Sequence, residues 1–266
     1  MKRIKFLVIT AILSFMTWSG PVGHLTNINL PSFEGESDEI EDVYDSCIDD
    51  LIACIALVEG YAEKPYFCGA RWTFGYGTTA DLNGKRIKAG FGSSSQYYAK
   101  KCVVEHLERE VKPYILQHLT RKVSKAEMLG ICLFVYNVGG TNFSGYTASG
   151  EKVGEPSEFL KALNRGETPW QCCRKMTGFR SSAGKQANGL LKRHWVQSAI
   201  FMGYITPKDI KTLEPVSFYN DSLEFYYRQP KAQKDDFWTY DFSKSKIREF
   251  LNKNRGTKAN AVAAIV

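Results

Sequence analysis

The stretch that decides the fold runs from residue 58 to residue 77 and reads VEGYAEKPYFCGARWTFGYG. Apolar residues upstream of it recur at helical spacing, which predicts a helix that ends at Glu59: Ile48, Leu51, Ile55 and Val58. Gly60 then ends this helix, because glycine commonly follows a helix C-terminus. Residues 65–92 are rich in glycine and aromatic side chains, which predicts a small, irregular antiparallel sheet.

The pattern beyond Ser93 is helical. Ser124 followed by Glu127 forms a capping box, which marks a helix start. The predicted helices are Ser95 to Leu119 with a break at Pro113, Ser124 to Asn137, Ser157 to Arg165, Trp170 to Met176 and Gln186 to Tyr204. One helix, a small sheet and then several helices predict an α+β fold, in which an active-site cleft lies between the small antiparallel sheet and a mainly helical lobe.

The chain divides into four predicted segments. Residues 1–20 carry Lys2, Arg3 and Lys5 before an apolar run, which is typical of an export signal or, if it is not cleaved, of a membrane anchor. Residues 21–45 are rich in Pro, Ser, Glu and Asp, which predicts an acidic linker without a fixed fold. Residues 46–204 form the predicted catalytic domain, and residues 205–266 a C-terminal extension of unassigned role. We therefore expect an exported protein, periplasmic or extracellular, or one tethered to the inner membrane.

The charge distribution bears on the class of partner. The 266-residue chain has a formal net charge of +7, although residues 33–50 are acidic and contain no Lys or Arg. The remaining body is thus strongly basic and favours a polyanion, either nucleic acid or a bacterial wall polymer. No zinc-finger spacing and no RNA-binding aromatic motif is found, which argues against nucleic acid. We expect a monomer that acts on a wall polymer.

The seven cysteines make disulfides conceivable in an exported protein, and their odd number leaves at least one thiol unpaired. Cys54, Cys102 and Cys132 lie in apolar stretches and read as small core residues. None of the seven has the spacing of metal ligands, so we predict no metal and no cofactor.

Three ordered motifs resemble the phage-type lysozymes of glycoside hydrolase family 24. The first joins Glu59, Cys68 nine positions later, and Thr73 within the run WTFGYG; in that family a Glu is followed by Asp or Cys at this spacing, then by a Thr. The second is LFVYNVG at residues 133–139, and the third is GLLKR at residues 189–193. The resemblance spans residues 49–204 and implies a lysozyme-like fold.

The resemblance implies a muramidase, which hydrolyses the β-1,4 bond between N-acetylmuramic acid and N-acetylglucosamine in peptidoglycan and so lyses bacterial walls. Two alternatives stay open at this point. A lytic transglycosylase needs one catalytic Glu and no second group, and a wall-binding protein could keep the fold without catalysis.

The positions of residues within these motifs identify the candidate site residues. Glu59 is the general acid, because partial burial at the end of an apolar helix would raise its pKa and keep it protonated. The resemblance places Cys68 where the family handles water or the anomeric carbon, Thr73 where it positions water, and Asn137 and Arg193 beside the cleft. Tyr76 is a candidate sugar contact or a packing residue. Four residues, rather than the family's usual five, separate Cys68 from Thr73, and Thr78 and His194 replace a frequent His and Arg.

Cys68 admits three interpretations. It could be a catalytic thiol if its neighbours favour the thiolate, a structural disulfide partner, or a thiol whose disulfide keeps an exported enzyme inactive until exchange releases it.

Overall fold

A computed structural model describes residues 34–68, 71–182, 185–218, 221–228 and 239–256. The predicted export segment and residues 21–33 of the predicted linker lie outside this range. The elements in chain order are α1 (Glu34–Asp45), α2 (Ile48–Glu59), β1 (Ala62–Cys68), β2 (Arg71–Gly75), α3 (Gln96–His106), a π-helical turn (Leu107–Val111), α4 (Lys112–His118), α5 (Lys125–Val138), α6 (Gly140–Ser144), α7 (Glu158–Asn164), α8 (Pro169–Met176), β3 (Ser181–Ser182), β4 (Lys185–Gln186), α9 (Asn188–Phe201), α10 (Pro207–Ile210), α11 (Leu223–Tyr226), β5 (Tyr227–Arg228), β6 (Thr239–Tyr240) and α12 (Lys244–Lys253).

The predicted α+β class is confirmed. Strands β1 and β2 form an antiparallel hairpin directly after α2, and most of the described core residues lie in helices. The helix predicted over residues 95–119 is divided into α3, the π-helical turn and α4, with Pro113 in the first turn of α4. Proline lacks a backbone N–H, so it is tolerated at a helix start but not in a helix interior.

The hydrophobic core is organised around α5. Residues Met128–Val135 of this helix are all buried, as expected of a helix that is apolar on every side. Ser124 and Glu127 form the predicted capping box at its start, and Gly139 follows its last residue. Helix α9 packs along α5, with Gly130 of α5 against Phe201 of α9. The two helices approach closely because Gly130 has no side chain.

The prediction of an unfolded acidic linker is wrong for residues 34–45, which form α1. Ile40 and Tyr44 are four residues apart, so they share one helix face, and both are buried in the core. The Tyr44 hydroxyl donates to the Leu107 carbonyl at 3.3 Å. On the exposed side Lys112 pairs with Asp45 at 2.7 Å. Two apolar side chains at the right spacing thus anchor a segment whose composition alone suggested a solvated chain.

The C-terminal extension is part of the same compact unit, which includes all described residues from 34 onward. The Val216 amide donates to the Leu57 carbonyl of α2 at 2.8 Å. The Tyr227 hydroxyl donates to the carbonyl of Leu191 on α9, and the Trp195 indole donates to the Asp241 carbonyl at 3.0 Å. The predicted boundary at residue 204 therefore cuts through a continuous core. Among the described helices, none is both long and apolar enough to cross a membrane.

The close approach of α5 and α9 gives a stability prediction. A Cβ added at Gly130 would lie 2.8 Å from the Phe201 Cα, so Gly130→Ala forces the two helices apart. We expect the free energy of unfolding to fall by about 1–3 kcal/mol, as is typical of overpacked cores. Gly189→Ala in α9 is the matched control, because its added Cβ would meet no atom within 4 Å. This control should gain up to about 1 kcal/mol from helix propensity. Denaturant unfolding of both variants measures the difference, and equal stabilities would contradict the packing argument.

Candidate active site

Glu59 occupies the last position of α2, and its side chain is 11% exposed. Burial raises the pKa of its carboxyl group, while the positive charge of Arg193 lowers it in part. Gly77 lies against this carboxylate: a Cβ there would be 3.3 Å from Glu59 Oε2, and the backbone φ of 89° also favours glycine. The loop after β2 therefore closes over Glu59 only because residue 77 has no side chain.

Three of the predicted site residues come together around one guanidinium group. Arg193 Nη1 lies 3.3 Å from Glu59 Oε2 and 3.3 Å from Asn137 Oδ1. These residues are contributed by α9, α2 and α5 respectively, so the packing of the three helices fixes the position of the acid. The Asn137 amide nitrogen is buried and has no hydrogen-bond partner in the structure.

The β1–β2 hairpin presents one face towards Glu59. Tyr66 pairs with Thr73, and Cys68 pairs with Arg71. Because side chains alternate along a strand, these four residues share a face, while Phe67 and Trp72 lie on the other. Burial raises the pKa of Tyr66, and the negative charge of Glu59 raises it further. Tyr66 is thus electrostatically coupled to the acid.

The sequence prediction missed Tyr66 as a site residue. Its two-residue spacing from Cys68 was the available signal, since it puts both side chains on one face of a strand. Tyr136, which is also coupled to Glu59, was missed as well. Its hydroxyl donates to the Tyr76 carbonyl at 2.7 Å and ties α5 to the loop after β2. Tyr136 directly precedes Asn137 in the second motif, and this position was the sequence signal that identifies it as a candidate.

Cys68 is exposed at the end of β1, and its side chain is a free thiol. The other six cysteines are also free thiols, and all six are buried. Neither interpretation that requires a disulfide through Cys68 is supported, because no buried thiol is bonded to it. In the described structure the Cys68 thiol is free and lies on the hairpin face shared with Tyr66, and its catalytic role stays a prediction.

Thr73 and Tyr76 are both largely buried. Thr73 lies across the hairpin from Tyr66, and its assignment as a water-positioning residue stays a prediction. Tyr76 is 5% exposed, and its ring centroid lies 5.4 Å from that of Tyr61. A sugar ring has no access to it, so the predicted contact between Tyr76 and substrate is corrected: Tyr76 packs in the core.

Two cavities adjoin the Glu59, Arg193 and Asn137 group. The first, of about 560 Å³, is lined by Glu59 and Arg193, by the start of α9, and by residues 216–218 with Asp221 of the extension. The second, of about 420 Å³, begins one residue beyond Asn137 and is lined by residues 138–142, by the loop after β2, and by His106, Glu110 and Tyr114. The acid therefore borders an open cavity, as a catalytic group must.

Residues 56–195 match the family model described as phage lysozyme. This match covers more than half of the chain. The chain belongs to the phage lysozyme family. Glu59, Cys68, Thr73, Asn137 and Arg193 all lie inside the region that matches the phage lysozyme model, whereas residues 216–221 lie outside it.

Solved structures of phage lysozymes are similar to this chain. An endolysin from Escherichia coli O157:H7 phage FAHEc1 is 22% identical, with a TM-score of 0.48, over 59% of this chain and 94% of that one. P22 lysozyme is 21% identical, with a TM-score of 0.46, over 57% and 94%. The active form of the P1 phage endolysin Lyz is 17% identical, with a TM-score of 0.46, over 64% and 95%. Among curated proteins, none matches the chain.

Glu59→Gln should keep the fold and reduce cleavage of peptidoglycan by about a hundred- to ten-thousand-fold, because the amide cannot donate a proton to a leaving oxygen. Glu63→Gln is the matched control, since Glu63 is an exposed carboxylate four residues away on β1. Turbidity loss of wall suspensions and thermal unfolding measure the two effects. Activity of Glu59→Gln within tenfold of the parent would assign the acid to another residue.

The contact between Arg193 and Glu59 predicts a change in pH dependence. The acid works when protonated, so activity falls as the pH rises through the pKa of Glu59. Arg193 lowers this pKa, hence Arg193→Gln should raise it and move the alkaline limb of the pH profile to higher pH. Arg248→Gln removes the same charge from the exposed side of α12 and should leave the limb in place. The measurement is kcat/KM against pH, and a limb unmoved in Arg193→Gln would refute the coupling.

Proposed function

We propose that this protein is a muramidase that hydrolyses the β-1,4 bond between N-acetylmuramic acid and N-acetylglucosamine in peptidoglycan. The observation that carries the proposal is the nearly buried Glu59 carboxyl group, with its raised pKa, at the edge of an open cavity. A carboxyl group in this environment stays protonated at higher pH than a solvated one. Membership of the phage lysozyme family agrees with this chemistry.

Glu59 donates its proton to the oxygen of the leaving sugar as the glycosidic bond breaks. The ionised Glu59 that results is stabilised by Arg193, whose guanidinium lies 3.3 Å away. Arg193 thus assists this proton donation, because a cation interacts more strongly with the carboxylate that forms than with the acid that is consumed. Positive charge develops at the anomeric carbon, and a water molecule attacks it to complete hydrolysis.

Cys68 is the candidate for the water side of this reaction. It shares a hairpin face with Tyr66, which is coupled to Glu59, and its thiol is open to solvent. A thiolate there would accept a proton from the attacking water or stabilise the positive charge on the sugar. Thr73, on the same face, would orient that water.

The proposed substrate also suits the predicted location. Peptidoglycan lies outside the cytoplasmic membrane, so an exported or membrane-tethered protein meets it directly. The basic body of the chain would attract the anionic polymers of the bacterial wall. Lysis of the wall is the expected consequence of cleavage.

The products of wall digestion test the proposal. Hydrolysis leaves reducing N-acetylmuramic acid ends, whereas a lytic transglycosylase leaves anhydro-muramic ends. Mass spectrometry of digests made with the parent and with Glu59→Gln should show reducing ends from the parent and almost no product from the variant. Anhydro ends would identify the transglycosylase, and wall binding without any product would identify a non-catalytic binding protein.

The role of Cys68 gives a further prediction. Cys68→Ala should lose about a hundredfold or more in activity, as is typical of a missing proton-transfer group, whereas Cys68→Asp should retain activity because a carboxylate can do the same task. The six buried cysteines provide the control, since iodoacetamide should modify the folded protein at Cys68 and inactivate it but leave Cys68→Asp active. Equal activities of the Ala and Asp variants would remove Cys68 from the mechanism.

A further inference from the structure

The cavity beside Glu59 has two walls of different origin. One wall comes from the region that matches the phage lysozyme model and includes Glu59, Gly189 and Arg193. The opposite wall is formed by Val216, Ser217, Phe218 and Asp221 of the extension, beyond the last matched residue, 195. The space next to the proposed acid is therefore bounded in part by residues that lie outside the matched region.

This second wall is fixed to the catalytic helices by directed contacts. The Val216 amide donates to the Leu57 carbonyl, two residues before Glu59, at 2.8 Å. The Lys192 ammonium, next to Arg193 on α9, is buried and donates to the Phe218 carbonyl at 2.9 Å and to the Asp221 carbonyl. A buried ammonium bound to two carbonyl groups resists withdrawal, because it would lose both hydrogen bonds without reaching water.

The charges in the cavity are satisfied by protein groups. Glu59 pairs with Arg193, and the Lys192 ammonium is taken up by backbone carbonyls. The Asp221 carboxylate accepts from the Tyr226 hydroxyl at 2.5 Å and pairs with Lys253. Each charged group among the described lining residues thus has a partner. A neutral, hydroxyl-rich ligand can therefore bind without separating the Asp221–Lys253 pair or the Lys192 contacts, while its hydroxyl groups bond to the polar lining.

The half-buried Phe218 supplies the apolar surface of this wall. The Phe218 and Tyr226 rings pack edge to face, with their centroids 6.5 Å apart, and this contact restricts the movement of the Phe218 ring. Pyranose rings carry apolar C–H faces that pack on aromatic rings, while their hydroxyl groups bond to polar neighbours such as Ser217 and Asn188. The cavity volume of about 560 Å³ lies within the usual range for small-ligand sites, about 300–1,000 Å³.

The geometry points to a sugar-binding subsite that the C-terminal extension adds to the catalytic cleft, with Phe218 as its specificity-determining residue. The ligand is a neutral pyranose of a glycan strand, an N-acetylglucosamine ring, next to the bond whose oxygen Glu59 protonates. The inference rests on the proposed function for its choice of glycan. It predicts that strands long enough to reach Phe218 bind more tightly than shorter ones.

The test measures binding in the Glu59→Gln background, where the substrate is not consumed. The probes are oligomers of N-acetylglucosamine of increasing length, which carry no charge, and their binding is measured by calorimetric titration. Adding Phe218→Ala should weaken binding of the longer oligosaccharides by about three- to tenfold, the range expected for one aromatic contact, and leave the shortest unchanged. Phe218→Tyr should restore affinity. Tyr97→Ala removes an exposed aromatic ring outside both cavities and should change nothing.

The same substitutions in the active protein separate this inference from the proposed function. Phe218→Ala should raise KM for long strands three- to tenfold, with kcat and the pH profile unchanged. Identical affinities of Phe218→Ala and its background for every length would overturn the subsite. A fall in kcat with a shifted pH limb would overturn it too, because Phe218 would then act by supporting Glu59. A parent that binds glycan in the predicted way but cleaves none would refute the proposed function and leave the subsite standing.

Discussion

The pairing of Glu59 with Arg193 is the interaction on which the rest of the site depends. A carboxylate that loses its water needs compensation, and an isolated one would simply stay neutral. The guanidinium at 3.3 Å offsets part of that penalty without cancelling it, so the pKa stays raised. The balance requires Arg193 to be held at a fixed distance, and its contact with Asn137 contributes to this. Three helices must therefore meet correctly before the acid has its properties.

Because the helices and the loop after β2 must approach closely, two positions in the fold have no room for a side chain. Gly130 lets α5 and α9 approach, and Gly77 lets the loop after β2 approach the carboxylate. At both positions the absence of a side chain allows the close approach, although glycine leaves the unfolded backbone with more conformational freedom to lose. Stability and catalysis thus depend on the same kind of feature, a close contact across elements that are far apart in sequence.

Local patterns predicted much of this from the sequence. The capping box at Ser124, the glycines that end α2 and α5, and the glycine and aromatic content of the hairpin region are encoded within a few residues of where they act. The grouping of Glu59, Asn137 and Arg193 came from motif order, and the structure brings all three together. The burial of Tyr76, the coupling of Tyr66 to the acid, and the packing of the extension depend on long-range contacts, which no local pattern contains. For α1, the prediction from acidic composition did not take into account Ile40 and Tyr44, the two apolar residues that fix the helix to the core.

The attachment of the extension also sets an order of events during biosynthesis. Leu213 pairs with Arg255, and Asp221 pairs with Lys253, so the segment that bounds the cavity is secured by residues close to the end of the described chain. A ribosome makes residues 56–195 first, and domains begin to fold as they emerge. The growing chain consequently contains the residues of the cavity wall before it contains those that secure them, since Asp221 and Lys253 are 32 residues apart.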